Sequence, residues 1–173
     1  MAETRVRSLG EPAAHDIRGL ADVLVACVEG GASVSFMAPL TRTKAEAYWR
    51  EVAASVARCE RVLLAAVDER DAIVGTVQVV WAEPENQPHR GDLAKMLVAP
   101  RARRRGVGAA LLAAAEQAEV ANGKTLLVLD TADPGAARLY ARGGWTFCGE
   151  IPDYALWPNG GYCATQVFYK TLR

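Results

Sequence analysis

Residues Asp92 to Ala118 read DLAKMLVAPRARRRGVGAALLAAAEQA. The apolar first part predicts a buried strand that ends before Pro100. The stretch from Ala109 to Ala118 predicts a helix, because Ala, Leu, Glu and Gln are strong helix formers. A helix usually begins with Ser, Thr, Asp or Asn as its N-cap. The join between this strand and this helix has arginines and glycines instead.

This uncapped join is a candidate anion site. Arg103, Arg104 and Arg105 precede Gly106-Val107-Gly108, where the first N–H groups of the helix and the positive end of its dipole are exposed. We expect the three arginines to point at the same spot as these donors. Glycines without a Cβ let a ligand approach the main chain, so the pattern favours a phosphate or pyrophosphate. The alternative is a solvated basic turn. The pattern is neither the phosphate loop of nucleotide hydrolases nor the dinucleotide fingerprint, because Gly-Lys-Ser/Thr and the third glycine are missing.

The remaining segments predict an α+β (mixed α/β) fold. We expect an edge strand at 4–9, a helix after Pro12, a second helix capped by Thr41 or Thr43, and a hairpin of 61–68 with 72–81. After the central helix we expect a strand at 125–130 buried on both faces, a short helix at 135–142 capped by Asp133, and a hairpin of 145–151 with 163–170. These elements predict one mostly antiparallel sheet with a parallel pair of central strands and flanking helices.

Length and composition indicate a single globular domain, 1–173. Half of the 173 residues are hydrophobic and the formal net charge is zero, so no overall field attracts nucleic acid. The absence of a long apolar run or a signal peptide favours a cytoplasmic protein. Scattered cysteines without metal spacing are expected to be reduced thiols in the core. They are Cys27, Cys59, Cys148 and Cys163.

Two motifs together resemble the GNAT superfamily of N-acetyltransferases. The first is Arg103-x-x-Gly106-x-Gly108 after the strand ending in Met96-Leu97-Val98, and the second is the segment 136–147, AARLYARGGWTF. The resemblance implies the GNAT fold, in which the two central parallel strands separate at their ends and the pantetheine arm of acetyl-CoA lies in the gap. It also implies a cofactor-binding set. That set comprises Met96, Leu97, Val98, Arg103, Arg104, Arg105, Gly106, Val107, Gly108, Ala109 and Ala136.

Acetyl transfer to an amine requires a base for the ammonium and an acid for the departing thiolate. Tyr140 is the candidate acid, because a phenol stays protonated at neutral pH and the family's tyrosine in this context has that role. Asp92 and Asp130 are the candidate bases, acting directly or through a water. Asp130 is expected at the carboxyl end of its strand, where ligands bind in open α/β sheets. We expect Lys95, which interrupts an apolar strand, to pair with a carboxylate.

The acceptor is expected to be a small-molecule amine. Further segments (30–37, 129–131, 149–154 and 168–172) resemble family members that inactivate amino-acid-like toxins or antibiotics. Candidate walls of the substrate pocket are Ser33, Phe36, Met37, Trp81 and Tyr154, each of which also fits a core or surface role. Three alternatives remain: a silent acyl-CoA-binding module, a protein or peptide N-acetyltransferase, and a nucleic-acid binder that uses the arginine cluster. We expect no nucleic acid, membrane or metal partner, and a monomer or homodimer.

Overall fold

A computed structural model describes residues 4–172. Its elements are β1 (Arg5–Ser8), α1 (Ala14–Glu29), α2 (Arg42–Ala57), β2 (Arg61–Val67), β3 (Ile73–Trp81), β4 (Arg90–Val98), a 3-10 turn (Pro100–Ala102), α3 (Val107–Ala121), β5 (Leu126–Thr131), α4 (Pro134–Arg142), β6 (Thr146–Leu156) and β7 (Tyr162–Thr171). The predicted order of elements and the mixed α/β fold class are confirmed. The C-terminal hairpin is longer than the sequence predicted, because both of its strands extend towards the turn at Pro158 to Gly161.

One seven-stranded sheet has the order β1-β2-β3-β4-β5-β7-β6. All neighbouring strands are antiparallel except β4 and β5, which are parallel. The predicted parallel pair is therefore confirmed at the centre of the sheet. It results from the crossover through α3, which leaves the end of β4 and returns the chain to the start of β5.

The sheet separates two apolar clusters. On one face α1 and α2 pack against alternate residues of β2 and β4, such as Leu63 and Leu97. On the other face α3 packs against residues such as Leu64 and Leu93. Leu93 and Leu97 lie on opposite faces although they are four residues apart, because the pairing of β3 with β4 shifts register between them. We call these the α1/α2 face and the α3/α4 face. This alternation determines on which side of the sheet each polar side chain of a strand lies.

β5 differs from its prediction as a strand buried on both faces. Leu127 and Leu129 are buried on the α3/α4 face, whereas Val128 is half-buried and Asp130 is exposed. The physical reason is that α1 and α2 pack on β2, β3 and β4 and do not extend over β5. The α1/α2 face is therefore open next to β5, which leaves room for a ligand there.

The cysteines differ in their exposure. Within residues 4–172 all four cysteines are free, Cys27 and Cys163 are buried, and Cys59 and Cys148 are exposed, so the expectation of four core thiols was wrong for two of them. Cys148 lies on edge strand β6, most of whose residues are exposed. Among the same residues no group of His, Cys, Asp and Glu has the arrangement of a metal site. No helix in the described part is both long and apolar enough to span a bilayer.

Candidate functional site

The central feature of the site is a gap between β4 and β5. Register pairs join these strands only at Arg90–Leu126, Gly91–Leu127 and Asp92–Val128. Beyond Asp92, β4 continues to Val98 and β5 to Thr131 without pairing with each other. The main chain of β4 from Leu93 onwards therefore has no ladder partner on the side facing β5. Such an edge supplies hydrogen-bonding groups to a ligand that carries amides of its own.

The start of α3 lies directly after this free edge. Gly106 is the N-cap with φ of 82°, and no side chain caps the helix, as the sequence predicted. In the described structure the N–H groups of Gly106, Val107, Gly108 and Ala109 have no backbone acceptor. These donors and the helix dipole fit an anionic group such as a diphosphate.

The two glycines of this turn have different roles. A Cβ added at Gly106 would meet no atom within 4 Å, so the main chain is open to a ligand there. A Cβ added at Gly108 would lie 3.0 Å from Cδ2 of Leu139, because α3 packs closely against α4 at this point. Gly106 therefore has the open main chain that we expected of both glycines. Gly108 instead allows α3 to pack closely against α4.

The arginines of the turn do not converge on one point. Arg103 donates from Nε to the carbonyl oxygen of Val98 at 3.2 Å, which ties the turn to the end of β4. Arg104 has a left-handed backbone with φ of 62°. Arg105 lines a crevice with Thr4 and Asp68 at the side of the β2–β3 hairpin. The turn is thus basic on several sides, with the free amides at its tip.

Both candidate bases lie on the α1/α2 face. Asp92 alternates with buried Leu93 and Asp130 with buried Leu129, whose side chains belong to the opposite face. Asp92 forms an ion pair with Arg90, two residues earlier on the same strand. Asp130 accepts a hydrogen bond of 2.7 Å from Oγ1 of Thr165 on β7. Because Asp130 lies where β5 has left β4, its carboxylate borders the gap.

Tyr140 approaches the gap from the α3/α4 face. It is almost fully buried on α4, with its ring 5.8 Å from that of Trp145 and 5.9 Å from that of Phe168. Burial raises the pKa of the Tyr140 phenol above its ordinary value, and the carboxylates of Asp133 and Asp130 raise the pKa further. Within residues 4–172 no hydrogen bond involves its hydroxyl, so no other group of the described chain engages its proton. The phenol stays protonated at neutral pH, as a proton donor requires.

Asp133 and Ala136 are the other candidates on α4. Oδ1 of Asp133 accepts from the N–H of Gly135 at 2.7 Å, so the predicted N-cap role of Asp133 is confirmed. Ala136 is half-buried against the α3/α4 cluster. Met96 packs against that same cluster, whereas Leu97 is buried on the opposite face, as expected for neighbours on one strand.

Four of the five candidate pocket residues are near the loop between α1 and α2. Oγ of Ser33 donates to the carbonyl oxygen of Leu156 at 2.9 Å and so ties this loop to β6. Phe36 packs edge-on against Tyr48 with ring centroids 5.2 Å apart. Met37 and Tyr154 are exposed on the loop and on β6, respectively.

Trp81 lies apart from the other four candidates, and its assignment to the pocket was wrong. Its Nε1 donates to Oε2 of Glu119 on α3 at 2.9 Å, and Nζ of Lys124 lies 4.7 Å from its ring centroid. Trp81 ends β3, which runs antiparallel to β4, so it lies beside Gly91 at the start of β4 and away from the gap. The sequence showed the residue at the end of a strand but not which end of the sheet that was.

We expected Lys95 to pair with a carboxylate, but among the described residues it pairs with none. Among residues 4–172 no carboxylate oxygen is within 4.0 Å of its ammonium, which donates to Oγ of Ser35 at 3.1 Å. Its backbone is left-handed, with φ of 49°, at a break in the pairing of β3 with β4. Sequence reasoning missed this irregularity, because no glycine or proline indicates it.

Comparison with known proteins agrees with this geometry. The sequence model of the family described as "Acetyltransferase (GNAT) domain" matches residues 58–146. A phosphinothricin acetyltransferase of Sinorhizobium meliloti, solved with acetyl-CoA, is similar at 20% identity over 99% of this chain and 88% of that one, with a TM-score of 0.80. YncA of Salmonella typhimurium, solved with its cofactor acetyl-CoA, is similar at 17% identity over 98% and 94%, with a TM-score of 0.78. A ribosomal-protein-alanine N-acetyltransferase of Brucella melitensis is similar at 21% identity over 97% and 99%, with a TM-score of 0.78.

Proposed function

This chain belongs to the GNAT family of acetyltransferases, and from that membership we propose that it transfers the acetyl group of acetyl-CoA to the primary amine of a small molecule. As a family member it is an acyl-CoA-dependent N-acetyltransferase that uses acetyl-CoA. Our proposal concerns its acceptor, its direct-attack mechanism and the residues that carry them. The described residues form one sheet, and we propose that the whole chain, 1–173, is a single acetyltransferase domain.

The observation that carries the proposal is the gap that ends at an uncapped helix. The free edge of β4 is suited to the amides of a pantetheine arm, and the free N–H groups at the tip of α3 are suited to a diphosphate. Coenzyme A carries both groups in that order. The main-chain groups of Met96, Leu97 and Val98 would hold the arm, and Gly106 to Ala109 would hold the diphosphate, with Arg103, Arg104, Arg105 and Ala136 around them.

In the proposed mechanism the residues on the two faces of the sheet have different roles. On the α1/α2 face Asp130 accepts the proton of the ammonium, directly or through a water, and Asp92 adds negative charge that attracts the cation. The freed amine then attacks the thioester carbonyl in a ternary complex, next to the main chain of β4. From the α3/α4 face Tyr140 donates its proton to the sulfur of the departing thiolate. N–H groups of β4 would stabilise the negative charge that develops on the carbonyl oxygen.

We further propose an amino-acid-like acceptor and a role in detoxification, including antibiotic resistance. The support is the resemblance of segments 30–37, 129–131, 149–154 and 168–172 to the tabtoxin resistance protein, which acetylates a β-lactam amino acid. The chain is also similar, at low identity, to a phosphinothricin acetyltransferase, and this similarity is in line with the proposal. A pocket bordered by Ser33, Phe36, Met37 and Tyr154 would surround such a small acceptor.

The test combines calorimetry with acetyl-CoA and a thiol-release screen. We expect acetyl-CoA to bind, and at least one amine among amino acids, polyamines, aminoglycosides and peptides to release coenzyme A and gain an acetyl group by mass. Because Cys59 and Cys148 are exposed, each reaction needs a control without acceptor to subtract the protein's own thiols. Binding without release for any amine would instead indicate a silent acyl-CoA-binding module.

A second candidate function is acetylation of a protein N-terminus. It is favoured by the similarity to the ribosomal-protein-alanine N-acetyltransferase. Acetylation of peptides that begin with alanine, without acetylation of free amino acids, would support this alternative and contradict a small-molecule acceptor. Retention on DNA that salt abolishes, without any heat from acetyl-CoA, would contradict both.

A further inference from the structure

Lys95 occupies a β-bulge in the middle of the site. Thr76 pairs with Leu97 but Gln78 pairs with Ala94, so β4 has one more residue than β3 in this interval. Lys95 takes the left-handed conformation that this bulge requires, which is costly for a residue other than glycine. The bulge directs its side chain towards the α1/α2 face, where it reaches the loop between α1 and α2. A long cationic side chain is thus held in place at the open side of the gap.

Lys95 is half-buried, and among residues 4–172 its ammonium has no carboxylate partner. Apart from Ser35, its close neighbour is the ring of Tyr48, whose centroid lies 5.9 Å from Nζ. Burial lowers the pKa of Lys95, and Arg61 lowers that pKa further, whereas the carboxylate of Asp130 raises it. Among the described residues Asp130 forms no ion pair with Lys95. A partly desolvated cation without a partner is unfavourable unless a ligand supplies the anion.

Arg61 adds a second positive charge on the same face. Its Nε donates to Oγ of Ser55 and its Nη1 to Oε1 of Gln78, both at 2.8 Å. The amide of Gln78 donates in turn to the hydroxyl of Tyr48 at 2.7 Å. These bonds link Arg61 through Gln78 to Tyr48, whose ring lies next to Lys95. The α1/α2 face therefore presents the cations of Arg61 and Lys95, the ion pair of Arg90 with Asp92 at the start of β4, and the carboxylate of Asp130 across the gap.

We propose that Lys95 binds the carboxylate of the acceptor, so that the acceptor is a zwitterion with its amine towards Asp130. This inference rests on the proposed function, because it assumes that the acceptor amine reacts at the gap. The opposite charges of Lys95 and Asp130, on the two sides of the gap, match the carboxylate and ammonium of an amino-acid-like molecule. Arg61 supports the same potential from the neighbouring strand. Neither a simple amine nor a peptide N-terminus would supply the missing anion at this position.

The alternative role of Lys95 is a purely structural tether of the loop through Ser35. Three variants separate the two roles. Lys95→Met removes the charge with little change in shape, Lys95→Arg keeps the charge, and Ser35→Ala removes the tether while Lys95 stays. Thermal melting of each variant reports any loss of folding independently of binding.

The experiment measures acetylation of each standard amino acid against that of its methyl ester. For the native enzyme we expect kcat/KM to be higher for the free acid by at least about tenfold, as for a hydrogen bond to a charged group. In Lys95→Met we expect this ratio to fall to within about twofold of unity, mainly through the KM of the acceptor. The KM of acetyl-CoA should not change. Ser35→Ala should retain the preference, and Lys95→Arg should retain part of it.

The outcome that overturns the inference is a Lys95→Met enzyme that still prefers the free acids, or a native enzyme that accepts the esters equally well. Either result leaves the acetyltransferase activity itself intact. If no amine releases coenzyme A, calorimetry with the same free amino acids decides. Binding by the native protein that Lys95→Met abolishes would support the carboxylate site and contradict the proposed function. No binding to the native protein would contradict the inference as well.

Discussion

Oγ1 of Thr165 donates a hydrogen bond of 2.7 Å to Oδ2 of Asp130. Thr165 is buried on β7, whereas Asp130 is exposed at the end of β5, so the bond fixes one carboxylate oxygen. Oδ1 of Asp130 has no donor among residues 4–172. Asp92, in contrast, is held in an ion pair by Arg90. Of the two carboxylates on the α1/α2 face, Asp130 is therefore the better placed to accept a proton.

Asp130→Asn should lower kcat by about 100-fold, the scale typical of a general base. Asp92→Asn should lower it less, because Asp92 is expected to act on the cation from a distance. The measurement is kcat at saturating acetyl-CoA for both single variants and for the double variant. Normal turnover of the double variant would remove carboxylate catalysis from the mechanism.

Tyr140→Phe should lower kcat by at least about tenfold, because the thiolate then departs without a proton donor. The KM of acetyl-CoA and the melting temperature should stay near their native values, since the hydroxyl has no hydrogen bond among the described residues. Tyr162→Phe is the matched control, because Tyr162 is exposed at the start of β7. An unchanged kcat in Tyr140→Phe would refute its role as the acid.

Gly106→Ala should raise the KM of acetyl-CoA by roughly tenfold, about the free energy of one lost main-chain contact to a charged group. The substitution adds a Cβ at the open tip of α3 and strains a residue with φ of 82°. Gly123→Ala is the control at the other end of α3, where φ is 73° and the space is also open. Both variants should lose about 1 kcal/mol of stability, but only the first should change the KM. Equal KM values would argue against the tip as the diphosphate site.

Glu119→Gln should stabilise the protein at neutral pH. Glu119 is fully buried, one of its oxygens has no hydrogen-bond partner among residues 4–172, and burial raises the pKa of its carboxyl. Because the folded pKa exceeds the unfolded value, the favourable contribution of this group is complete below about pH 4 and is lost as the pH rises through the folded pKa. The substitution should therefore raise Tm by about 2–4 °C near pH 7.5, as for about 1 kcal/mol, and by less near pH 5.

Glu116→Gln, on the same helix, should have the opposite effect on stability. Glu116 accepts from Nε1 of Trp145 at 2.8 Å and from Nζ of Lys170 at 2.6 Å, so its charge is well paired. Its neutralisation should lower Tm at neutral pH, because a partly buried lysine loses its counter-ion. Melting curves of both variants between pH 5 and pH 8 check the pair. A stabilised Glu116→Gln or a destabilised Glu119→Gln at pH 7.5 would contradict this account.

Local signals in the sequence were sufficient for the elements and their order. The caps at Thr41 and Asp133 were readable because each depends on residues a few positions apart. The parallel pair followed from the crossover rule. The uncapped start of α3 was readable for the same local reason, and it remains the best sequence signal for the cofactor site.

Features that depend on how distant strands pair could not be predicted from the sequence. The bulge at Lys95 arises where β3 and β4 pair, and lysine does not predict a left-handed backbone. The position of Trp81 depends on which end of β3 meets the gap. Arg103 and Arg105 were expected to share one target, but side-chain directions around a turn depend on its dihedral angles, which composition does not specify.

The short join between β4 and β5 divides the protein mechanically. α1, α2 and α3 pack on β1 to β4, whereas α4 packs on β5 and β6. Besides the three register pairs, the halves are connected by Glu116 of α3, which accepts from Trp145 and Lys170, by the contact of α3 with α4 at Gly108, and by the apolar cluster of the α3/α4 face. Each half has its own sheet ladder, so native-state hydrogen exchange should show two cooperative units with different opening free energies. A molecule seated along the gap would contact both, and its binding would therefore merge the two unfolding transitions into one.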